Sequence, residues 1–132
     1  MSSIVVDTHI LIWDQLDPSR MSAKAKKAIA MADEGHQIMI CEISLWEISI
    51  LMKKKRLLID MPYLDFMHNL LQTRNYVLQG INPEIAFLAT TIEMDTKDPA
   101  DRMIAATAIH LGVPLITSDH LIQSNKDVKI IW

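Results

Sequence analysis

The sequence predicts an α/β fold of three layers, with helices on both faces of a central parallel sheet of four or five strands. Three observations carry that expectation. Short apolar runs bounded by turn residues, at Ile4–Val6 and at positions 37–41, 76–78, 113–117 and 128–131, alternate with longer stretches of helical periodicity. The stretch from Asp98 to Asp119, DPADRMIAATAIHLGVPLITSD, feeds a capped helix into a buried strand, one half of a parallel crossover unit. Acids stand just past several of the apolar runs, at the edge where open α/β sheets place their chemistry.

Element by element, the apolar run Ile4–Val6 stops at Asp7, and THILIWDQL continues with Ile10, Leu11 and Trp13 at helical spacing. Ser22 is placed to cap a helix whose apolar positions are Ala25, Ala28, Ile29 and Ala32, ending at Gly35. After the second strand, Ser44 and Glu47 have the spacing of a capping box, followed by an apolar stripe of Leu45, Ile48, Leu51 and Met52. Lys53, Lys54, Lys55 and Arg56 end that helix, either as a solvated terminus that complements the macrodipole or as a phosphate-contacting patch.

Positions 57–59 read as a brief extended segment, and Pro62 opens a helix with Leu64, Met67, His68 and Leu71 on one side. Asn82 and Pro83 start the next helix, which carries Ile85, Phe87, Leu88 and Ile92. In the Asp98 helix, Asp98 reads as the N-cap, Pro99 as N1 and Asp101 as N3; Ile104, Ala105, Ala108 and Leu111 give one apolar face, and Gly112 closes it. Pro114 must then sit at the first position of the strand that follows. The segment HLIQSN after Asp119 reads as a short turn or helix.

A length of 132 residues suits one such domain, expected over positions 1–132, and half the residues are apolar. With three glycines there is neither a phosphate-binding loop nor a dinucleotide fingerprint, which argues against a nucleotide cofactor held in those ways. Cys41 is the single cysteine, so no internal disulfide is expected and its reading is a small core residue in a reducing compartment. No apolar segment approaches membrane-spanning length and no basic leader precedes one, so a cytoplasmic location without membrane contact is expected. The net charge of −3 does not suggest a general nucleic-acid coat. It does not exclude a nucleic-acid enzyme, since bound divalent ions cancel part of an acidic excess.

Asp7, Glu47, Asp101 and Asp119 all fall at strand ends or in first helical turns, so a parallel sheet brings them to one edge. Each alone also reads as a cap or turn former, as does Asp98. Together their repulsion calls for an offset, and a hard cation provides one: Mg2+ or Mn2+ takes carboxylate oxygens and serves phosphodiester hydrolysis. Thr117 is placed to orient Asp119, and Thr8 to do the same beside Asp7. Arg102 is placed to hold the Asp101 carboxylate or to meet a phosphate. His9, His68, His110 and His120 lack the spacing of a zinc site; His9 and His120 lie closest to the expected pocket. Trp13 and Trp46 read as packing residues, with stacking on a base the alternative for an exposed Trp46.

With VVDTHILIW, ISLWEIS and DPADRMIAATAIHLGVPLITSD in place, the chain resembles the PIN-domain ribonucleases, and more closely their VapC-like toxin branch. The resemblance implies a PIN-like fold and a metal-dependent endoribonuclease acting on structured RNA such as tRNA or rRNA. It implies that Asp7, Glu47, Asp101 and Asp119 are the catalytic metal ligands, with Thr117 as the supporting hydroxyl. It further implies a homodimer held silent by a cognate antitoxin. RNA capture by an acidic chain then depends on a local patch, for which Lys53 to Arg56, Arg74, Lys97 and Arg102 are the candidates. The alternatives are a non-catalytic PIN-fold binding module, a metal-dependent DNase, and a phosphoacceptor domain. The last would need an adjacent acid pair after the first strand, where the chain has VVDTH.

Overall fold

In the structure, a computed structural model, residues 3–132 are described, and the first two positions of the expected domain lie outside the described residues. Five short strands form one sheet: β1 Ile4–Val6, β2 Ile38–Cys41, β3 Tyr76–Gln79, β4 Leu115–Ile116 and β5 Ile130–Ile131. Every pairing is parallel and the order is β3-β2-β1-β4-β5, with Val5 opposite both Met39 and Leu115. The sheet therefore has five strands, as expected, and all its carboxyl ends share one edge.

Among the described residues seven α-helices and one short 3-10 helix, Pro18–Arg20, connect them: α1 Thr8–Leu16, α2 Ala23–Gly35, α3 Ile43–Lys53, α4 Tyr63–Leu71, α5 Pro83–Thr91, α6 Pro99–Leu111 and α7 His120–Gln123. The pleat divides them between two faces. Ile4, Val6, Ile38, Ile40 and Ile116 pack with Ile10, Ile29, Ile48 and Leu70 from α1 to α4. Val5, Met39, Cys41 and Leu115 pack with Ile104, Ala105 and Ala108 of α6 and Ile122 of α7, while α5 leans on α6 through Ile85, Ala89 and Ala106. Strands buried on both sides must be continuously apolar, which is why IVV and IMIC show no polar alternation. Cys41 is a buried free thiol, and burial pushes its pKa up, so it behaves as the core residue expected. Among the described residues no helix is long and apolar enough to cross a membrane.

The expected caps at Ser22 and Asn82 form: Ser22 Oγ accepts from the Ala25 N–H at 3.1 Å, and Asn82 Oδ1 from the Ile85 N–H at 2.8 Å. Three local expectations are corrected. Positions 57–59 form no strand: Leu57 and Ile59 pack on the core while Leu58 is exposed, so the alternation of a strand is present without a partner to pair with. The buried side of α4 is Phe66, Met67 and Leu70, with Leu64 and His68 outside. The Tyr63 O–H donates to the Leu45 carbonyl at 2.6 Å, tying the start of α4 to α3, and Phe66 is buried one turn on. On α5, Phe87 is likewise exposed while Ile85 and Ala89 are buried.

Arg74 is corrected from an RNA contact to a brace. Its Nε and Nη2 donate to the two oxygens of Asp14, at 2.7 and 3.1 Å, and Nη1 donates to Asp33 at 3.2 Å. It precedes β3 and so lies at the amino edge of the sheet, opposite the strand ends.

Gly112 holds φ +68°, the left-handed conformation that closes α6, and its N–H donates to Ile109 while Val113 N–H donates to Ala108. A Cβ there would meet open space, so Gly112→Ala carries only the backbone cost. The expected loss of stability is about 1 kcal/mol, read as a lower urea midpoint with an unchanged slope.

Candidate metal centre

Asp7 follows β1 directly and caps α1, Oδ1 accepting from the Ile10 N–H at 2.9 Å. It is 6% exposed. Burial raises its carboxyl above the usual carboxylate range; hydrogen bonds from Thr117 and the Ile10 N–H, and the proximity of His9, oppose that, and Asp119 adds to it. Past β4, Thr117 is fully buried and its Oγ1 accepts from the Asp119 N–H at 3.1 Å, while Asp119 Oδ1 accepts from the Leu121 N–H at 2.8 Å as the cap of α7. Thr117 thus holds the Asp119 backbone and favours the charged form of the Asp7 carboxyl.

At the start of α6, Asp98 Oδ1 accepts from the N–H groups of Ala100 and Asp101, at 2.8 and 3.3 Å. Asp101 follows in the first turn. Its carboxyl is pushed up to about 7 by burial first, then by Asp98, Asp119, Glu47 and Asp7 in that order. Four carboxylates from three other segments and its own cap therefore act on one side chain.

The expected Ser44–Glu47 capping box does not form. α3 begins earlier, with Glu42 as its cap residue, and Ser44 is wholly buried inside the first turn. Ser44 Oγ lies 2.8 Å from Thr8 Oγ1, and the Thr8 hydroxyl donates to Glu47 Oε1. Thr8 accordingly supports Glu47, where the sequence suggested Asp7. Helix start and buried hydroxyl are linked: with α3 running from Ile43, the Trp46 and Glu47 N–H groups that Ser44 would cap already lie within the helix, and its hydroxyl is left to meet Thr8. Burial also raises the Glu47 carboxyl, and Thr8 partly offsets that.

Glu47, Asp98 and Asp101 each offer a carboxylate oxygen within 4.8 Å of the others. Adjacent oxygen ligands around Mg2+ lie about 3 Å apart and opposite ones about 4.2 Å, so the three carboxylates are near enough to share one hard cation after side-chain adjustment. The donor set is all hard oxygen, and both ion pairs among the described residues belong to Arg74, so none of the acids has a Lys or Arg partner. The residues present fit a hard divalent cation.

Of the sequence-predicted residues, Glu47 and Asp101 enter this trio. Asp7 and Asp119 lie outside it and act on Asp101 through their charge. Asp98 is both cap and trio member; its separation of three from Asp101 on a first turn was the available signal. Thr96 stands outside every sequence motif, yet it is buried, and its Oγ1 accepts from the Asp98 N–H at 3.2 Å and lies 3.5 Å from Asp101 Oδ2. Arg102 is corrected. Its guanidinium donates to the carbonyls of Ala89, Ile92 and Thr96, tying off the carboxyl end of α5 and the loop after it.

Comparison with known proteins adds three findings. The family described as the PIN domain matches residues 4–127. Ribonuclease VapC22 of Mycobacterium tuberculosis is 33% identical over 135 residues, covering 100% of both chains. Among solved structures, VapBC2 from Rickettsia felis bound to a promoter DNA fragment superposes with TM-score 0.69 at 12% identity, covering 97% of this chain and 96% of that one. A toxin-antitoxin complex from Klebsiella pneumoniae gives 0.64 at 23% identity, covering 95% and 94%. At such identities the structural likeness is one of fold.

The raised Asp101 carboxyl sets a pH dependence. An acid whose folded pKa exceeds its free value of 3.8 stabilises the fold below that value, and the contribution is lost as pH rises through about 7. Chelator-treated protein is therefore expected to lose thermal stability between pH 4 and 7, and Asp101→Asn to flatten that decline. Equal slopes in the two proteins would contradict the assignment.

Proposed function

The chain belongs to the PIN-domain family, on its VapC-like branch, and from that membership we propose that it is a metal-dependent endoribonuclease toxin. The observation that carries the reading is the convergence of Asp7, Glu47, Asp98 and Asp119 on Asp101 at the carboxyl edge of the sheet, with no Lys or Arg paired to them among the described residues. One nuclease domain spans residues 1–132, with Mg2+ or Mn2+ as its cofactor. Asp7, Glu47, Asp101 and Asp119 are its catalytic acids and metal ligands, Thr117 is its supporting hydroxyl, and Asp98 is an added ligand.

When bound, the ion supplies the positive charge that the pocket lacks, polarises a phosphodiester and makes a water more acidic. The chain's own residues prepare the site for it. The α1 and α6 N-termini direct N–H groups at Asp7 and Asp98, fixing both carboxylates without a counter-charge. Thr8 donates to Glu47 within the trio, and Thr117 holds the Asp119 backbone next to Asp7. Asp101, whose carboxyl is pushed up to about 7, would hold a proton below that pH in the metal-free chain and give it up where a cation is bound.

The substrate is structured RNA such as tRNA or rRNA. The likeness to toxin-antitoxin complexes supports a cognate antitoxin as the inhibitor; a homodimer as the working form and the cytoplasm as the place of action belong to the same reading.

Two outcomes test this. Asp7→Asn is expected to keep its circular-dichroism spectrum while cleavage of pooled cellular RNA in Mg2+ falls on the order of a hundredfold or more; full activity in the folded variant would contradict the reading. Replacing Lys54 and Lys55 together with Gln is expected to lower the log–log salt slope of RNA binding by about 1 to 2, the value for two phosphate contacts. An unchanged slope would assign them to a solvated helix end.

A further inference from the structure

One groove joins the acidic site to the basic end of α3. It encloses about 520 Å3 and is lined by Trp46, Glu47, Ile50, Leu51 and Arg56 of α3 and its exit, with Asp98 and Pro99 across from them. The space is in the range that holds a ligand of nucleotide size. Trp46 immediately precedes Glu47 and is 61% exposed, an unusual position for so large an apolar surface. Ile50 lies one turn along on the same side, extending the apolar strip toward the basic end.

The far end is built by the way α3 stops. Lys55 adopts φ 57°, its N–H donates to the Met52 carbonyl and the Arg56 N–H to the Leu51 carbonyl, a closing turn for which glycine is the usual residue. A lysine held in that strained conformation keeps a cation where glycine would leave none. The turn also folds Arg56 back so that it lines the groove. Lys53, Lys54, Lys55 and Arg56 are all exposed, and none has an acidic partner among the described residues.

We propose that this groove is a subsite for single-stranded RNA, in which Trp46 stacks on an unpaired base next to the scissile phosphate and Arg56 holds a phosphate farther along the strand. The proposal rests on the nuclease reading and deepens it by naming the residue that grips the substrate beside the acids. The sequence of chemistries suits one polyanion: a carboxylate site that accepts phosphate only through a cation, then an open aromatic face, then the Arg56 guanidinium, with Lys53 to Lys55 next to it in the chain. A folded duplex leaves no free base face for Trp46, so the strand must be unpaired there. Trp46 is accordingly a binding residue that sets where in a structured RNA the cut falls.

The test uses the full chain carrying Asp7→Asn, which stops cleavage and leaves the Glu47, Asp98 and Asp101 oxygens in place. Binding of fluorescein-labelled octa-adenylate RNA in Mg2+ is followed by anisotropy, with and without Trp46→Ala or Trp46→Phe. Trp46→Ala is expected to weaken binding on the order of tenfold and Trp46→Phe to keep most of it. Octamers with one abasic ribose, placed at each position in turn, are expected to lose affinity at one position when Trp46 is present and at none in the Trp46→Ala chain. Equal affinity with and without Trp46→Ala, while RNA cleavage by the unmutated protein is intact, overturns the stacking subsite alone and leaves the groove to a protein segment. No binding of the octamer up to millimolar concentration overturns it too, and if the unmutated protein also cuts no RNA, the nuclease reading fails with it.

Discussion

Parallel alignment of all five strands is the constraint on which the rest depends, because it gives the sheet two chemically different edges. Chain leaving a parallel strand must turn into a helix before it can return, and the first turn of that helix offers unpaired N–H groups at the carboxyl edge. Asp7 and Asp119 occupy that junction directly, after β1 and β4. Asp98 and Asp101 reach the same edge from the opposite direction in sequence, at the start of the helix that leads into β4. Acids scattered over more than a hundred positions are thereby gathered by topology, with no contact between them needed to hold them there.

Gathering them creates an electrostatic load. Asp101 bears most of it, since burial and four neighbouring carboxylates all act to keep it protonated. The fold relieves the load only in part, through backbone N–H groups at Asp7 and Asp98 and through the Thr8 and Thr117 hydroxyls, each of which supplies a dipole and no net charge. Arginines that could have neutralised the site are engaged elsewhere: Arg74 braces Asp14 and Asp33 at the amino edge, and Arg102 ties off the end of α5. The negative potential is thus left for an exogenous cation, and stability is given up at the site that uses it.

The cations of the basic run Lys53 to Arg56, which have no acidic partner among the described residues, lie at the other end of α3 from Glu47, beyond an exposed tryptophan and an apolar strip. That separation matters in a chain with net charge −3, because attraction of a polyanion depends on where positive charge is placed and on its distance from the acids. Placing them within the acidic pocket would neutralise both. Placing them at the carboxyl end of α3 keeps the pocket acidic and also complements the helix macrodipole.

Much of this architecture was legible in the sequence wherever one residue and its near neighbours settle the outcome. The strand runs, the caps at Ser22, Asn82 and Asp98, the left-handed close at Gly112 and the junction at Asp7 depend on local sterics and on hydrogen bonds spanning two or three residues. Ser44 and Glu47 have capping-box spacing, yet their partner is Thr8, thirty-six and thirty-nine positions away, and only packing of α1 against α3 brings the three together. Leu57 to Ile59 alternate like a strand without a neighbouring edge to pair with, and α4 is joined to the α3 backbone by a tyrosine eighteen positions from its acceptor. Asp98 reads as a cap and is one, but its closeness to Glu47 is a distance between two helices that no local pattern encodes. Sequence by itself determined which backbone groups are paired locally and which residues are apolar; tertiary structure alone decided which polar side chains meet, because those contacts are made by chain segments whose approach is set by the whole core.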